Sequence, residues 1–137
     1  MTWSIQAGGA HDAEAILALW RRAEAEETVS DDAESVHALL ARDPGSLLIA
    51  EVDGAVIGSL IVGWDGWRGQ LYRLAVDPSW RRRGVATELV RTAEERLRGL
   101  GVRRVAAIVV TAHDHAQGFW RSVGYGAAPQ TRYVRSL

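Results

Sequence analysis

The sequence predicts an α/β (α+β) layered domain in which helices cover a central sheet. Three observations predict it. Amphipathic stretches with a 3.6-residue period alternate with short strand-like apolar runs along the whole chain. Hydrophobic residues make up 47% of the 137 residues and charged ones 24%, enough to bury one core. No repeat, low-complexity tract or Pro/Ser linker interrupts the pattern, so residues 1–137 read as a single domain.

Trp3–Ala7 reads as an opening strand ended by Gly8-Gly9. His11-Asp12 caps a helix whose apolar positions are Ile16, Leu19, Trp20 and Ala23. Ser30-Asp31-Asp32 introduces a second helix with Val36, Leu39 and Leu40 on one face, and Asp43-Pro44-Gly45 stops it. Ser46–Val52 and Ala55–Val62 flank Asp53-Gly54, a two-residue hairpin signal. Residues 63–69 form a loop, and Gln70–Val76 is the next strand, closed by Asp77-Pro78. Val85–Arg98 carries a buried helical stripe of Val85, Ala86, Leu89, Val90, Ala93 and Leu97, and Gly99–Gly101 ends it. Arg103–Val110 reads as a buried strand, Asp114–Ser122 as a short helix and Thr131–Ser136 as a final strand.

Composition removes several function classes. No apolar run approaches the ~20 residues of a membrane span, and no basic leader precedes an apolar stretch. The expectation is a cytoplasmic protein with no membrane partner. Cys is absent, which excludes disulfides, thiolate catalysis and Cys-ligated zinc. The net charge of −1 hides a division. Residues 1–70 carry twelve acids against four Arg, a net −8, while residues 71–137 carry twelve Arg against five acids, a net +7. Such a split suggests an anion site in the second half and an acidic surface, or a site for a cation, in the first. The Arg-rich half contains no nucleic-acid reading motif, so no nucleic-acid partner is expected.

The chemistry concentrates in residues 71–86. A strand ends at Val76, a Pro turn follows, and Arg81-Arg82-Arg83-Gly84 opens directly into a helix. A helix start leaves N–H groups without intrahelical partners, and its dipole favours negative charge there. Gly84 lets backbone approach an anion, and small Ala86 does the same further on. Three guanidinium groups add forked donors suited to phosphate oxygens. The order of strand, turn, glycine and helix therefore points to a phosphate or pyrophosphate cradle. The absence of any Lys excludes G-x-x-x-x-G-K-[ST], and no G-x-G-x-x-G follows an early strand.

Arg81-x-x-Gly84-x-Ala86 after Leu74-Ala75-Val76-Asp77-Pro78 resembles the acetyl-CoA signature [QR]-x-x-G-x-[GA] of the GNAT N-acetyltransferase superfamily. The likeness spans nearly the whole chain, including two helices after the first strand. Ala116, Phe119, Gly124 and Tyr125 also fall in register with the family's late N-x-x-A-x-x-F-Y-x-x-x-G-F pattern. The resemblance implies a mixed, mainly antiparallel sheet with helices on both faces, splayed between the fourth and fifth strands. It implies acetyl-CoA as co-substrate. Its pantetheine arm would lie along Leu74, Ala75 and Val76, and its pyrophosphate at Arg81, Arg82, Arg83, Gly84, Val85, Ala86 and Thr87. A backbone N–H in the Leu74–Val76 segment would polarise the thioester carbonyl.

The late motif departs from the family at two positions. His113 stands where Asn is usual, and a ring nitrogen can still donate to the cofactor arm. Trp120 stands in place of the Tyr that often protonates the departing thiolate, and an indole N–H supplies no acid. Phe119 and Trp120 then pack against the cofactor while solvent protonates the thiolate, whose thiol has a pKa near ~8.5. Alternatively His113, His115, Tyr125 or Tyr133 acts from a shifted position. Tyr125 and Tyr72 stand as the catalytic candidates. Glu26, Glu27, Asp31 and Asp32 lie in the helix linker where the family often builds its acceptor site. The loop Trp64-Asp65-Gly66-Trp67-Arg68 is a second candidate for the acceptor wall. His113-x-His115 beside Asp114 lacks a further ligand nearby in sequence, so no metal is expected.

The sequence thus reads as an acetyl-CoA-dependent N-acetyltransferase acting by direct attack of an amine in a ternary complex. With no Cys, it has no thiol on which to form an acyl-enzyme. The acidic first half favours a cationic small-molecule amine, such as an amino sugar or polyamine. The alternatives are a CoA-binding sensor or partner module that has lost catalysis, and acetylation of a protein or tRNA-linked acceptor. Homodimers are common in the family that the sequence resembles.

Overall fold

The computed structural model describes residues 2–23, 25, 28–110 and 113–137. In chain order the elements are β1 (Ser4–Ala7), a 3-10 turn (Ala10–Asp12), α1 (Ala13–Arg22), α2 (Ala33–Arg42), β2 (Leu47–Val52), β3 (Ala55–Trp64) and β4 (Gly69–Val76). A second 3-10 turn (Pro78–Trp80), α3 (Val85–Gly99), β5 (Val105–Ala107) and α4 (Asp114–Ser122) follow. Local chemistry explains the boundaries. The Asp32 carboxylate accepts the Ser35 N–H at 2.7 Å and caps α2, as the Ser-Asp-Asp signal predicts. Asp53 and Gly54 both adopt positive φ, 48° and 80°, which twists the β2–β3 hairpin in the sense its strands require.

The sheet runs β1-β2-β3-β4-β5, antiparallel except for the parallel β4–β5 pair. Helices cover both faces, as expected. On one face α1 and α2 bury Ile16, Leu19, Trp20, Val36 and Leu40 against Leu47, Ile49 and Ile61. On the other, α3 and α4 bury Val85, Leu89, Leu97 and Trp120 against Leu48, Leu60, Val62 and Leu71. Each large side chain so buried contributes roughly 1.5–3 kcal/mol. Two glycines set α3 close to the sheet: a Cβ on Gly58 would stand 3.0 Å from Val85 Cγ1, and one on Gly69 would stand 2.6 Å from Leu97 Cδ1. These approaches fix the direction of α3, so that its first residue, Val85, packs level with Gly58 and the end of β4.

Two strand expectations need correction. Thr131–Ser136 forms no strand: it has no regular structure and lies in solvent, with Tyr133 93% exposed and Val134 73%. Its two apolar residues are adjacent, so they would face opposite sides of a strand and give neither side a core-facing row. The Arg103–Val110 strand is ladder-paired only over Val105–Ala107 and is half-exposed rather than buried. With no outer neighbour among the described residues, β5 is the edge of the sheet. Smaller shifts extend β3 to Trp64 and start β4 at Gly69, shortening the expected loop to residues 65–68.

Candidate active site

The region after β4 supplies a set of open donors. Asp77 accepts from the Ser79 N–H at 2.9 Å and the Ser79 hydroxyl at 2.6 Å, closing the turn that ends the strand. These donors, with the Arg22 guanidinium 3.0 Å away, hold the Asp77 carboxyl below the usual carboxylate range, Ser79 hydroxyl first. Beyond the turn, Arg82 and Gly84 adopt positive φ, 63° and 85°. Such alternation lets successive N–H groups converge on an anion. The first bond within α3 runs from the Glu88 N–H to the Gly84 carbonyl at 3.1 Å, and no side chain caps the helix. The N–H groups of Val85, Ala86 and Thr87 are therefore left without intrahelical partners. Nothing lies within 4 Å of where a Gly84 Cβ would be, so glycine serves the backbone angle there and leaves the approach open. Arg83 lies over the half-buried Trp80 ring, 4.8 Å from its centroid, which fixes one cation beside these donors.

Beside this cradle the sheet comes apart. β4 pairs with β5 only over Gly69–Leu71, and the last bond runs from the Ile108 N–H to the Leu71 carbonyl at 2.9 Å. β4 continues for five residues past that point with no partner on its β5 side among the described residues. Hydrogen-bond parity shows which groups face the opening. Gly69 donates to the Arg104 carbonyl and Leu71 accepts from Ile108, so these odd-numbered residues face β5. Past the strand end, Asp77 donates to the Ile57 carbonyl, so the odd-numbered residue there faces β3. A register shift between Ser59 and Ile61, opposite residues 72–75, accounts for the inversion. Alternation then turns the backbone N–H and C=O of Leu74 and Val76 toward the opening.

The bulge has its own supports. Arg73 adopts φ 57°, which for a residue with a Cβ costs about 1–2 kcal/mol. Tyr72 and Arg73, though consecutive, both reach the α1–α2 face: Tyr72 packs against that core, and Arg73 lies 5.1 Å over the Trp20 ring. The Trp20 Nε1–H donates to Ser59 Oγ at 2.8 Å, and the Ser59 hydroxyl donates to the Arg73 carbonyl at 3.0 Å. At its other end, Arg73 Nη2 lies 2.6 Å from Asp31 Oδ2 in a largely enclosed ion pair. The α1–α2 linker is thus tied to the bulge.

The profile of the Acetyltransferase (GNAT) family matches residues 13–125 of this chain. The chain belongs to that family. An acetyltransferase of Pectobacterium atrosepticum is 33% identical over 114 residues, covering 83% of this chain and 81% of that protein. Among solved structures, the PaiA N-acetyltransferase of Thermoplasma acidophilum in complex with coenzyme A superposes with a TM-score of 0.83 at 15% identity, covering 96% of this chain and 94% of the other. The aminoglycoside-named AAC(6')-Iy, in complex with the bisubstrate analogue CoA-S-monomethyl-acetylneamine, gives a TM-score of 0.79 at 19% identity over 100% and 99% of the two chains. At those identities the structures share the fold.

Other residues singled out in this GNAT chain lie in different places. Tyr125 packs edge-on to Trp120, with ring centroids 5.0 Å apart, and donates its hydroxyl proton to Glu94 at 2.8 Å. Burial, and then the Glu94 carboxylate, push its pKa well above the usual phenol range. Trp120 itself is buried between Phe119 and Tyr125 in the α3 core. His113 flanks the start of α4 and stacks on His115 at 5.6 Å. Tyr133 lies in the exposed C-terminal segment. Of the acidic linker, Asp31 reaches the site through Arg73, Asp32 is the α2 cap, and Glu26 and Glu27 lie outside the described residues. Trp64–Arg68 sits at the opposite end of β4 from the cradle. Among the described residues, no three His, Asp or Glu side chains are grouped to hold a metal ion, and no helix is long and apolar enough to cross a membrane.

Sequence reasoning missed Ser59 and the second role of Trp20. A lone Ser in the apolar run Ala55–Val62 was the available signal, since a buried hydroxyl must find a partner. Tyr72-Arg73, two polar-tipped residues in succession, was the corresponding sign of a bulge in β4.

Proposed function

We propose that this chain transfers an acetyl group from acetyl-CoA to a small-molecule amine by direct attack in a ternary complex. The observation that carries the reading is continuity: the unpaired β4 backbone at Leu74 and Val76 runs straight to the uncapped first turn of α3. An extended pantetheine arm is matched by the former as by an added strand, and a pyrophosphate by the latter. Arg81, Arg82 and Arg83 add charge at the same end, and Val85, Ala86 and Thr87 supply N–H groups. Ala75 faces β3 and contributes through the strand it holds in place. His113, Phe119 and Trp120 form the α4 side of the cofactor arm in this reading.

In the reaction, the amine nitrogen attacks the thioester carbonyl, and the oxyanion that forms takes a hydrogen bond from a β4 N–H. The C–S bond breaks as the carbonyl reforms, the amine loses its proton, and the thiolate gains one. The thiolate, whose conjugate thiol has a pKa near ~8.5, takes that proton from solvent, so Trp120 in the family's Tyr position is compatible with turnover. Tyr125 is a proton holder whose hydroxyl is engaged by Glu94, while Tyr72 stands on the bulged strand and packs against the α1–α2 core. The bisubstrate complex of AAC(6')-Iy and the acidic first half of the chain both support a cationic amine such as an amino sugar.

The test is free-thiol release from acetyl-CoA across a panel of amino sugars, polyamines and amino acids. Amine-dependent thiol release supports the reading. The buried indole of Trp120 favours a second reading, a CoA-binding module without turnover. Tight CoA binding with no release on any amine would select it.

A further inference from the structure

We infer that Ser59 and Trp20 are positioning residues for acyl transfer: their hydrogen-bonded relay holds the β4 bulge in the one register that aims the Leu74 and Val76 N–H groups into the β4–β5 opening. The inference rests on the acetyl-transfer reading above. Without the extra residue in β4, alternation would carry Arg73 and Ala75 to the opening and turn Leu74 and Val76 toward β3. The site's donors therefore exist only while the bulge does.

A bulge with a non-glycine residue at positive φ does not hold itself, because the extended alternative is the lower-energy local backbone. Something must compensate, and three contacts converge on the one strained residue. Its carbonyl, displaced from the ladder, accepts from the Ser59 hydroxyl at 3.0 Å. Ser59 is completely buried, and its oxygen is in turn oriented by the Trp20 indole N–H at 2.8 Å. The guanidinium is held by Asp31 at 2.6 Å and by the face of the same Trp20 ring. Trp20 thus constrains Arg73 at both ends, through its nitrogen and through its π face. Ser59 is in β3, directly across from Ala75, so the relay acts where the register shift occurs.

The hydroxyl donates to the carbonyl and cannot be replaced there by a methyl group. Removing it frees a part-buried carbonyl to seek a partner, and the nearest way to satisfy it is to slide the bulge. A displacement of the N–H donors by about 1 Å is enough to cost roughly 100-fold in rate while an extended cofactor arm still binds.

Acetyl-CoA labelled with carbon-13 at the carbonyl gives a readout that needs no acceptor amine. Bound to the wild-type protein, the thioester carbonyl stretch is expected at lower wavenumber than in water, because a backbone N–H polarises it. In Ser59→Ala the downshift is lost, CoA affinity by calorimetry stays within about 3-fold, and kcat falls roughly 10- to 100-fold with little change in KM for acetyl-CoA. Trp20→Phe, which keeps an aromatic face and removes the Nε1 donor together with one ring of the indole, gives a smaller loss of the same kind. A Ser59→Ala protein that keeps the wild-type carbonyl band overturns this inference alone. So does a loss of the downshift that comes only with a parallel loss of CoA affinity and melting temperature. A wild-type protein that binds acetyl-CoA without any downshift overturns the acetyl-transfer reading, and this one with it.

Discussion

Two glycine-containing loops lie at opposite ends of β4, and each has Arg and Trp side chains nearby, exposed Trp67 at one and half-buried Trp80 at the other. In the hairpin loop Trp64–Arg68, the Asp65 carboxylate accepts the N–H groups of Trp67 and Arg68 at 2.8 and 2.9 Å. That loop satisfies its own donors. In the loop Arg81–Gly84 the helix start has no such carboxylate, since Asp77 is already engaged by Ser79 and Arg22. Composition barely distinguishes the two; the difference is whether a local acceptor closes the backbone donors. In the proposed function, binding belongs to the loop that was left open.

Closing the open loop is the largest perturbation. Gly84→Glu places a carboxylate on the N-terminus of α3 and a Cβ at φ 85°. CoA affinity is expected to fall about 100-fold or more, while circular dichroism keeps its helical signal. Isothermal calorimetry checks it, and retained affinity sinks the cradle. Gly84→Ala isolates the backbone part: the strain of about 1–2 kcal/mol corresponds to a loss of roughly 5- to 30-fold in affinity, stability or both.

The contrast also shows what could be read in advance. The open loop was legible because Pro78, Gly84 and Ala86 occur in an order that backbone geometry makes necessary. The helices were legible from Ile16, Leu19 and Trp20, or Leu89, Ala93 and Leu97, because a buried stripe must recur at the helical period. The bulge left only the trace of Tyr72-Arg73 in succession, since its register depends on which β3 residues pair on either side of Arg73, a long-range fact that local spacing does not fix. Asp31 was singled out in the sequence as an acidic linker residue, yet its guanidinium partner is 42 residues away. The final strand failed for the converse reason. Tyr133-Val134 has strand propensity, but propensity without a neighbour to pair with orders nothing.

Engaged donors elsewhere should behave like those of the hairpin loop. The Tyr125 hydroxyl is held by Glu94 with its pKa raised by burial first and the carboxylate second. Folding therefore favours the protonated phenol. Its contribution is fully present below the unfolded value near ~10 and is lost as pH rises through the higher folded value. Tyr125→Phe should flatten the alkaline limb of a stability–pH curve and leave kcat at neutral pH within about 3-fold. A neutral-pH kcat loss beyond tenfold, with CoA affinity unchanged, would make Tyr125 an acid in the reaction. Asp77 has the opposite sign. Its folded pKa is depressed, so its contribution is present above the unfolded value near ~3.9 and is lost as pH falls below it. Asp77→Asn should remove part of the acid-side slope, measurable by urea denaturation from about pH 5 down to about pH 2.

The smallest effect is expected from opening the closed loop. Asp65→Ala removes the acceptor that the Trp67 and Arg68 N–H groups share, and these donors then turn to water, since the loop is exposed. The Asp65 carboxyl is held below its usual range, by the Arg68 N–H first and the Trp67 N–H second. The wild-type loop should consequently loosen only in acid, and the variant should show that loosening at neutral pH. Hydrogen exchange at residues 66–68 is expected to quicken, with melting temperature nearly unchanged and CoA affinity the same as wild type. If Asp65→Ala instead weakens CoA binding, the two ends of β4 are coupled through the strand. Whether a loop binds would then depend on more than its own open donors.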